Sequence, residues 1–365
     1  MTTSHPHPRR IAAVLAVLSL AAGVAACGSS SNGASATATA SNAAASAPAA
    51  SSSSSAAPTT ATTTQTVAGT QAGGKPLIVG DQAGTGAQAL LQAAGLLHKL
   101  PFPVKFADFT SGPPILQALN AGSLDVGGVG NAPPVFAAAG GDDIKIVGAL
   151  RNSTSDAGLL VPKGSSVTSI SQLKGKKIAV AQGSSADYHL LATLTQAGLT
   201  PHDVQLVYLQ PAQGLAAFSS GSVAAWDVWP PFVEQAEVLK GAKNIADGQG
   251  IANANYSYVV ASKKAVSDPV LSKEITQYLT ELNKAHQWAN THAAQWAKTW
   301  AAATGLPDSV MTKAAADSTQ TPVEVNATIT AAEQSLVGAF SKAGLIPKSY
   351  SFAPYVSTAF NGAVQ

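Results

Sequence analysis

Val104-Lys105-Phe106-Ala107-Asp108-Phe109, the turn Thr110-Ser111-Gly112-Pro113, Ile115-Leu116-Gln117-Ala118-Leu119-Asn120-Ala121 and then Leu124-Asp125-Val126-Gly127-Gly128-Val129 decide the fold class. The outer runs are short, apolar and β-rich, and the middle one spaces its apolar residues as a helix does. Strand then helix recurs on both sides. Upstream, Pro76-Leu77-Ile78-Val79-Gly80 precedes Ala89, Leu90, Leu91, Ala94 and Leu97. Downstream, Val135 to Ala139 follows Val129, and Ile144 to Leu150 leads to Leu159-Leu160-Val161-Pro162. After Gly164 the alternation restarts with Lys177-Ile178-Ala179-Val180-Ala181, a helix over 186–197, Val204 to Leu209, a helix through Ala216 to Phe218, and Ala224 to Val228. The pattern predicts an α/β fold of two units.

From Asp268 the pattern is helical only. Asp268 is placed to cap a helix that opens on Pro269, and Val270, Leu271, Ile275, Leu279 and Leu282 follow one face. Gly305-Leu306-Pro307 breaks the run, and Thr321-Pro322 is expected to open a last helix ending near Gly344. Trp288, Trp296 and Trp300 are spaced to form one stripe of one helix, which predicts core packing.

The N-terminus reads as an export signal. Arg9 and Arg10 precede an apolar run from Ile11 to Val24 and the small residues Ala25 and Ala26. That run is shorter than the roughly 20 residues a spanning helix needs. Val24-Ala25-Ala26-Cys27 resembles the lipobox of bacterial lipoproteins, which makes residues 1–26 a signal peptide and Cys27 a lipid-attachment site. Lipid holds a chain at a membrane without spanning it. Residues 28–74 contain no charged side chain and are nearly all Ser, Ala, Thr, Gly, Asn or Pro, so residues 27–74 are expected to be a flexible tether.

Composition excludes several functions. Lys and Arg total 21 against 19 Asp and Glu, too even a balance for a nucleic-acid binder, and the single cysteine rules out a disulfide framework or a thiolate metal cluster. No His-Glu-x-x-His or Gly-x-Ser-x-Gly occurs, and His98, His189, His202, His286 and His292 lack dense ligand spacing, so no metal site and no catalytic residue is expected. Gly84-Thr85-Gly86-Ala87-Gln88-Ala89 fits a dinucleotide fingerprint, with Asp108 about twenty residues on. Such patterns arise readily among 32 glycines, and an exported protein has little access to NAD, so no cofactor is expected.

Five small, Gly- or hydroxyl-rich turns follow predicted strands: residues 81–86, 110–113, 130–134, 182–185 and 227–231. Ligands of open α/β sheets bind beyond strand carboxyl ends, where helix N-termini offer unpaired N–H groups and a positive dipole end. Several together predict an anion cleft between two lobes that needs no lysine or arginine.

The stretch from Leu77 to Phe232 resembles substrate-binding proteins of bacterial ABC importers in the aliphatic-sulfonate, nitrate and taurine group, nearest the sulfonate binders. The resemblance rests on residues 112–125, Gly130-Asn131-Ala132-Pro133-Pro134-Val135-Phe136-Ala137, residues 173–180, Gly183-Ser184-Ser185, Tyr208-Leu209-Gln210-Pro211-Ala212 and residues 221–232, in that order. It implies a two-lobed, type II periplasmic-binding-protein fold with a helical C-terminal region. Lobe one would comprise 75–162 and 261–365, and lobe two 163–260, with the chain crossing near Pro162 and returning near Val260. It also implies a lipid-anchored, monomeric receptor on the outer face of the cell membrane. This receptor would capture a small anionic solute, an aliphatic sulfonate, and pass it to a permease with its ATPase subunit. Nitrate, taurine or a thiamine-pyrimidine precursor are the alternatives on this fold. Some relatives are enzymes, including a sulfinate desulfinase that relies on cysteine, a nucleophile missing from the folded region here.

A sulfonate needs donors only. The hydroxyls of Ser111, Ser184 and Ser185 and the N–H groups of Gly112, Asn131 and Ala132 are expected to supply them. Gln82, Tyr188 and Trp229 would shape the organic part, and Asp227 would orient neighbouring groups rather than touch the anion. The family often has an acidic residue at the position of Asn131, and its replacement here removes a partner for a substrate amine.

Overall fold

Twelve short β-rich runs pair into two sheets, and eleven helices cover their faces in the computed structural model, which describes residues 62–67, 75–82, 84, 86–251, 253 and 255–364. The expected signal peptide, Cys27 and most of the tether lie outside the described residues. Strands of the first sheet are β1 (Thr62–Val67), β2 (Leu77–Gln82), β3 (Val104–Phe109), β4 (Val126–Gly130), β5 (Ile144–Asn152), β11 (Tyr256–Ser262) and β12 (Gln320–Val323), in the order β1-β3-β2-β4-β11-β5-β12. The second sheet holds β6 (Gly158–Val161), β7 (Lys177–Val180), β8 (Gln205–Tyr208), β9 (Ala225–Val228) and β10 (Lys243–Asp247), in the order β10-β6-β9-β7-β8.

The helices are α1 (Ala87–Ala93), α2 (Gly112–Asn120), α3 (Ala132–Ala139), α4 (Ser185–Gln196), α5 (Pro211–Ser219), α6 (Phe232–Lys240), α7 (Lys263–Ser267), α8 (Pro269–Thr291), α9 (Ala293–Thr304), α10 (Asp308–Asp317) and α11 (Ala327–Lys342). β2, β3 and β4 run parallel, as do β7, β8 and β9, so helices that follow these strands start on the same edge of each sheet.

The first sheet is buried on both faces. On β11, Val259 and Ala261 enter the cluster beneath α1, α8, α9 and α10, while Tyr258 and Val260 enter the one beneath α2, α3 and α11, as strand alternation requires. A separate cluster forms around β6, β7 and β9, where all four residues of β9 are buried. Asp268 caps α8, its Oδ1 accepting from Val270 N at 2.8 Å and Leu271 N at 3.1 Å, and Ile275, Tyr278, Leu279, Leu282 and Ala285 then form the buried stripe.

The structure corrects four expectations. β1 falls inside the expected tether and pairs antiparallel with β3, Val67 opposite Val104; its four threonines and valine favour an edge strand, which backbone hydrogen bonds can hold without a core of its own. The lobe boundaries also move. β6 pairs with β9 and β10 in the second sheet and β11 with β4 and β5 in the first, so the chain crosses between Asn152 and Gly158 and returns between Asp247 and Tyr256. An apolar run such as Leu159-Leu160-Val161 reads alike in either sheet, and only its pairing assigns it.

Thr321-Pro322 lies in β12 at the sheet edge, where proline costs no ladder bond, and the last helix starts later, capped by Asn326 Oδ1 on Thr328 N and Ile329 N. The tryptophans occupy two helices. The chain breaks at His292, Trp288 stacks on that ring at 5.0 Å, and Trp296 stacks on Trp300 at 5.0 Å.

Candidate ligand-binding cleft

Loops at the carboxyl ends of strands from both sheets line one cavity of about 130 Å³. The first sheet contributes Asp81 and Gln82 after β2, Gly112 at the start of α2 and Gly128, Val129 and Gly130 on β4; the second contributes Ser184, Ser185, Trp229 and Pro230. Asn152 and Asp156 come from the first crossing, Ser257 and Tyr258 from β11, Gln320 from β12, and Tyr278, Leu282 and His286 from α8. No lysine or arginine is among the lining residues.

Helix starts supply the donors. α2 opens Gly112-Pro113-Pro114 and α3 opens Ala132-Pro133-Pro134; because proline has no N–H, each presents the N–H of its first residue rather than a fan of four. A Cβ on Gly112 would lie 2.6 Å from Pro133 Cγ, so glycine is what lets the two helix starts pack together. Ser111 beside them is fully buried, and its Oγ has no partner among the described residues. Buried hydroxyls are seldom left so.

The second lobe closes the site. Ser184 was expected to donate its hydroxyl, but Oγ donates to Ala181 O at 2.6 Å and accepts from Asp187 N at 3.3 Å, which spends it on capping α4. Ser185, half-buried at the first helical position, faces Gly130 instead. Trp229 is buried beside Pro230 with its ring edge-on to Phe232 at 6.2 Å.

Gln82 lines the cavity, its Nε2 donating to Gly128 O at 3.1 Å. Asn131 and Ala132 are fully buried, and Asn131 Nδ2 donates to Asn253 O at 2.9 Å, tying the α3 start to the return crossing. Five of the ten expected residues, Ser111, Asn131, Ala132, Tyr188 and Asp227, are not among the residues that line the cavity. Tyr188 packs in the core beneath α11, 5.9 Å from the Phe340 ring, with its hydroxyl pushed up to about 12 by burial and then by Glu333. Asp227 is buried inside the second lobe, where its Oδ2 lies 2.8 Å from His189 Nδ1; burial lowers the His189 pKa, but the Asp227 carboxylate more than offsets this and leaves it raised.

Sequence reading missed the polar groups of the other wall. Asn152 Oδ1 accepts from Ser257 Oγ at 3.0 Å and Gln320 Nε2 at 3.2 Å, while its Nδ2 donates to Asp156 Oδ2, so one side chain joins the crossing strand, the returning strand and β12. Burial pushes Asp156 up to about 7 and His286 down to about 4. His286 had a signal in the sequence: it continues the Tyr278–Leu282 stripe of α8 where an apolar residue is expected. Asp81 is pushed up to about 6 by burial, against hydrogen bonds from the N–H groups of Gln88, Ala87 and Gln82. Its carboxylate therefore occupies the start of α1, where the dinucleotide fingerprint would need a pyrophosphate.

Residues 71–304 match the NMT1-like family. The chain belongs to that family. It is 32% identical over 276 residues to an Escherichia coli (strain K12) protein named as an aliphatic sulfonates-binding protein, covering 74% of this chain and 85% of that one. Among solved structures it is similar to the alkanesulfonate-binding protein SsuA from Xanthomonas axonopodis pv. citri bound to MOPS, at 31% identity and a TM-score of 0.73 over 78% of this chain and 99% of that one. The periplasmic aliphatic sulphonate binding protein SsuA from Escherichia coli follows at 30% identity and a TM-score of 0.69, covering 78% and 97%. This NMT1-like chain thus has the two-lobed α/β periplasmic-binding-protein fold expected from its sequence. Among the described residues no helix is long and apolar enough to cross a membrane, and no group of three or more His, Cys, Asp or Glu could hold a metal ion.

Proposed function

We propose that this protein is the extracytoplasmic receptor of an ABC importer and captures a small organosulfur anion, an aliphatic sulfonate, in the cleft between its lobes. The observation that carries the reading is the unpartnered, fully buried Ser111 Oγ next in sequence to Gly112, whose helix start lines a cavity without lysine or arginine. A sulfonate stays singly charged across physiological pH and brings no proton, so neutral donors suffice. The N–H groups of Gly112, Asn131 and Ala132 with the Ser111 hydroxyl hold it from one lobe, and Ser185 from the other. Gln82 and Trp229 border the organic part, and Ser184 and Asp227 position these groups without touching the ligand. The names of the relatives favour the same solute class.

Binding and release need no bond to be made or broken, and the protein acts as a carrier rather than an enzyme. A ligand held by both lobes favours the closed arrangement, and the permease with its ATPase subunit reads that population. A diacylglyceryl group on Cys27 would keep a monomeric receptor beside its permease.

A thermal-shift series on the purified protein tests this. At a hundred times its Kd a ligand adds about 2.7 kcal/mol of stability, so short alkanesulfonates should raise Tm while sulfate and nitrate do not. A response to nitrate or to a thiamine precursor, with silence from every sulfonate, would overturn the ligand assignment and keep the fold.

A further inference from the structure

β1 decides where the N-terminal segment joins the folded body. It pairs antiparallel with β3, Val67 opposite Val104 and Thr62 opposite Asp108. β2 runs parallel to the same strand, Leu77 opposite Val104 and Gln82 opposite Phe109. Without β1 the chain would depart from the start of β2, at the amino ends of these parallel strands. With it, departure moves to Thr62, four residues along β3 and so about 13 Å nearer the carboxyl ends, where the ligand cavity lies.

Asp108 marks the place. It lines a groove of about 560 Å³ together with Asp81 and Gln82, which also line the ligand cavity, and with Pro231, Phe232 and Gln235 from the second lobe. The groove is thus the mouth between the lobes. Because Thr62 stands opposite Asp108, residues 27–61 are joined to the fold beside that mouth.

Composition agrees with the pairing. Residues 28–58 hold two β-branched side chains, Thr37 and Thr39, while residues 59–67 hold seven, six of them threonine. Such residues favour extended backbone. β3 supplies the other half of the match: with β2 on one side, it would otherwise present an open edge with a row of unpaired N–H and C=O groups.

We propose that β1 is a clip that makes the tether leave at the mouth of the cleft, so that a receptor anchored at Cys27 turns its opening toward the membrane surface. The proposal rests on the anchoring reading above and adds orientation to it. A pull on residues 27–61 acts at Thr62, beside groups from both lobes. A tether that began at Lys75 would pull from the opposite edge of the sheet and turn the opening away.

Energy transfer on vesicles tests this. The chain from Cys27 onward keeps every described residue, and its only thiol couples to a maleimide lipid, so attachment does not depend on cellular lipidation. A donor dye is placed, through an azide-bearing residue, at Gln92 on the groove or at Ser123 between α2 and β4 on the opposite edge; both positions are exposed. The bilayer carries acceptor lipids. Transfer should be at least twofold more efficient from position 92 than from position 123. The ratio should fall to near one in Gln65→Pro/Thr66→Pro, adjacent prolines that remove whichever N–H bonds to β3. Equal transfer in the unaltered chain, or more from position 123, overturns the proposal, and that comparison needs no variant to fold. A bias that survives the prolines overturns the clip. Cells exporting Cys27→Ser answer the anchoring reading separately: if that variant stays on the membrane, Cys27 is not the anchor, and the proposal falls with that reading whatever the vesicles show.

Discussion

Gly130 at the end of β4 and Ser185 at the start of α4 meet across the cleft so closely that a Cβ on Gly130 would lie 2.8 Å from both Cβ and Oγ of Ser185. One residue belongs to the first sheet and the other follows the second, so the two lobes approach each other here with no room for a side chain on Gly130. Both lobes also meet behind it, where Tyr188 of α4 packs among Phe136 of α3 and Phe340 of α11, and at the far side, where Lys313 Nζ of α10 reaches Glu237 Oε2 of α6 at 3.3 Å.

Gly130→Ala places a methyl group where the lobes touch. The α4 start must then stand off by several tenths of an ångström, and donors aimed from both lobes no longer converge. Ligand affinity should fall at least tenfold while the urea midpoint stays within the error of the unaltered protein. A single variant with unaltered Kd would show that closure does not depend on this contact.

Ser184 and Ser185 are neighbours with different tasks. Ser184→Ala removes the α4 cap and should cost about 1 kcal/mol in a urea titration, with little change in affinity. Ser185→Ala should leave stability alone and lower affinity about tenfold, near the 1.5 kcal/mol end of the range for a hydrogen bond to a charged group. The reverse assignment of the two effects would mean that the Ser184 hydroxyl turns to the ligand when one is bound.

Glu234 on α6 is buried near Lys313, and no donor among the described residues reaches its Oε2. Burial first, and then the charges of Asp317 and Glu237 against that of Lys313 and a hydrogen bond from its own backbone, push it from 4.5 to about 7. Between those values the folded protein keeps a proton that the unfolded chain has released. The stabilising effect is therefore complete below about pH 4.5 and is lost as pH rises through about 7, an upper bound of about 3 kcal/mol. Glu234→Gln should flatten the Tm profile across that window and raise Tm at pH 8. An unaltered slope would mean that Glu234 is already ionised in the folded state.

The sequence determined the fold class. Strand and helix periods are local properties, so the α/β alternation through Val228, the Asp268 cap of α8 and the break at Gly305-Leu306-Pro307 all appear where expected. Residues 112–137 and 221–232 carried the family. The glycine and proline spacing at the helix starts likewise marked the turns that bear Gly112, Asn131, Ala132, Ser185 and Trp229.

Pairing and convergence belong to the tertiary structure. Residues 158–161 could enter either sheet, and β9 and β10 decide between them; residues 62–67 read as tether because an edge strand is held by a neighbour far along the chain. Ser184 looked like a ligand donor until Ala181 O and Asp187 N claimed its oxygen. The far wall was invisible for the same reason. Asn152, Asp156, Ser257, His286 and Gln320 share no motif, and they form one polar surface only because two crossings, a helix and an edge strand meet there. Local sequence fixes which groups a segment offers, and the packing of distant segments decides which of them remain free for a ligand.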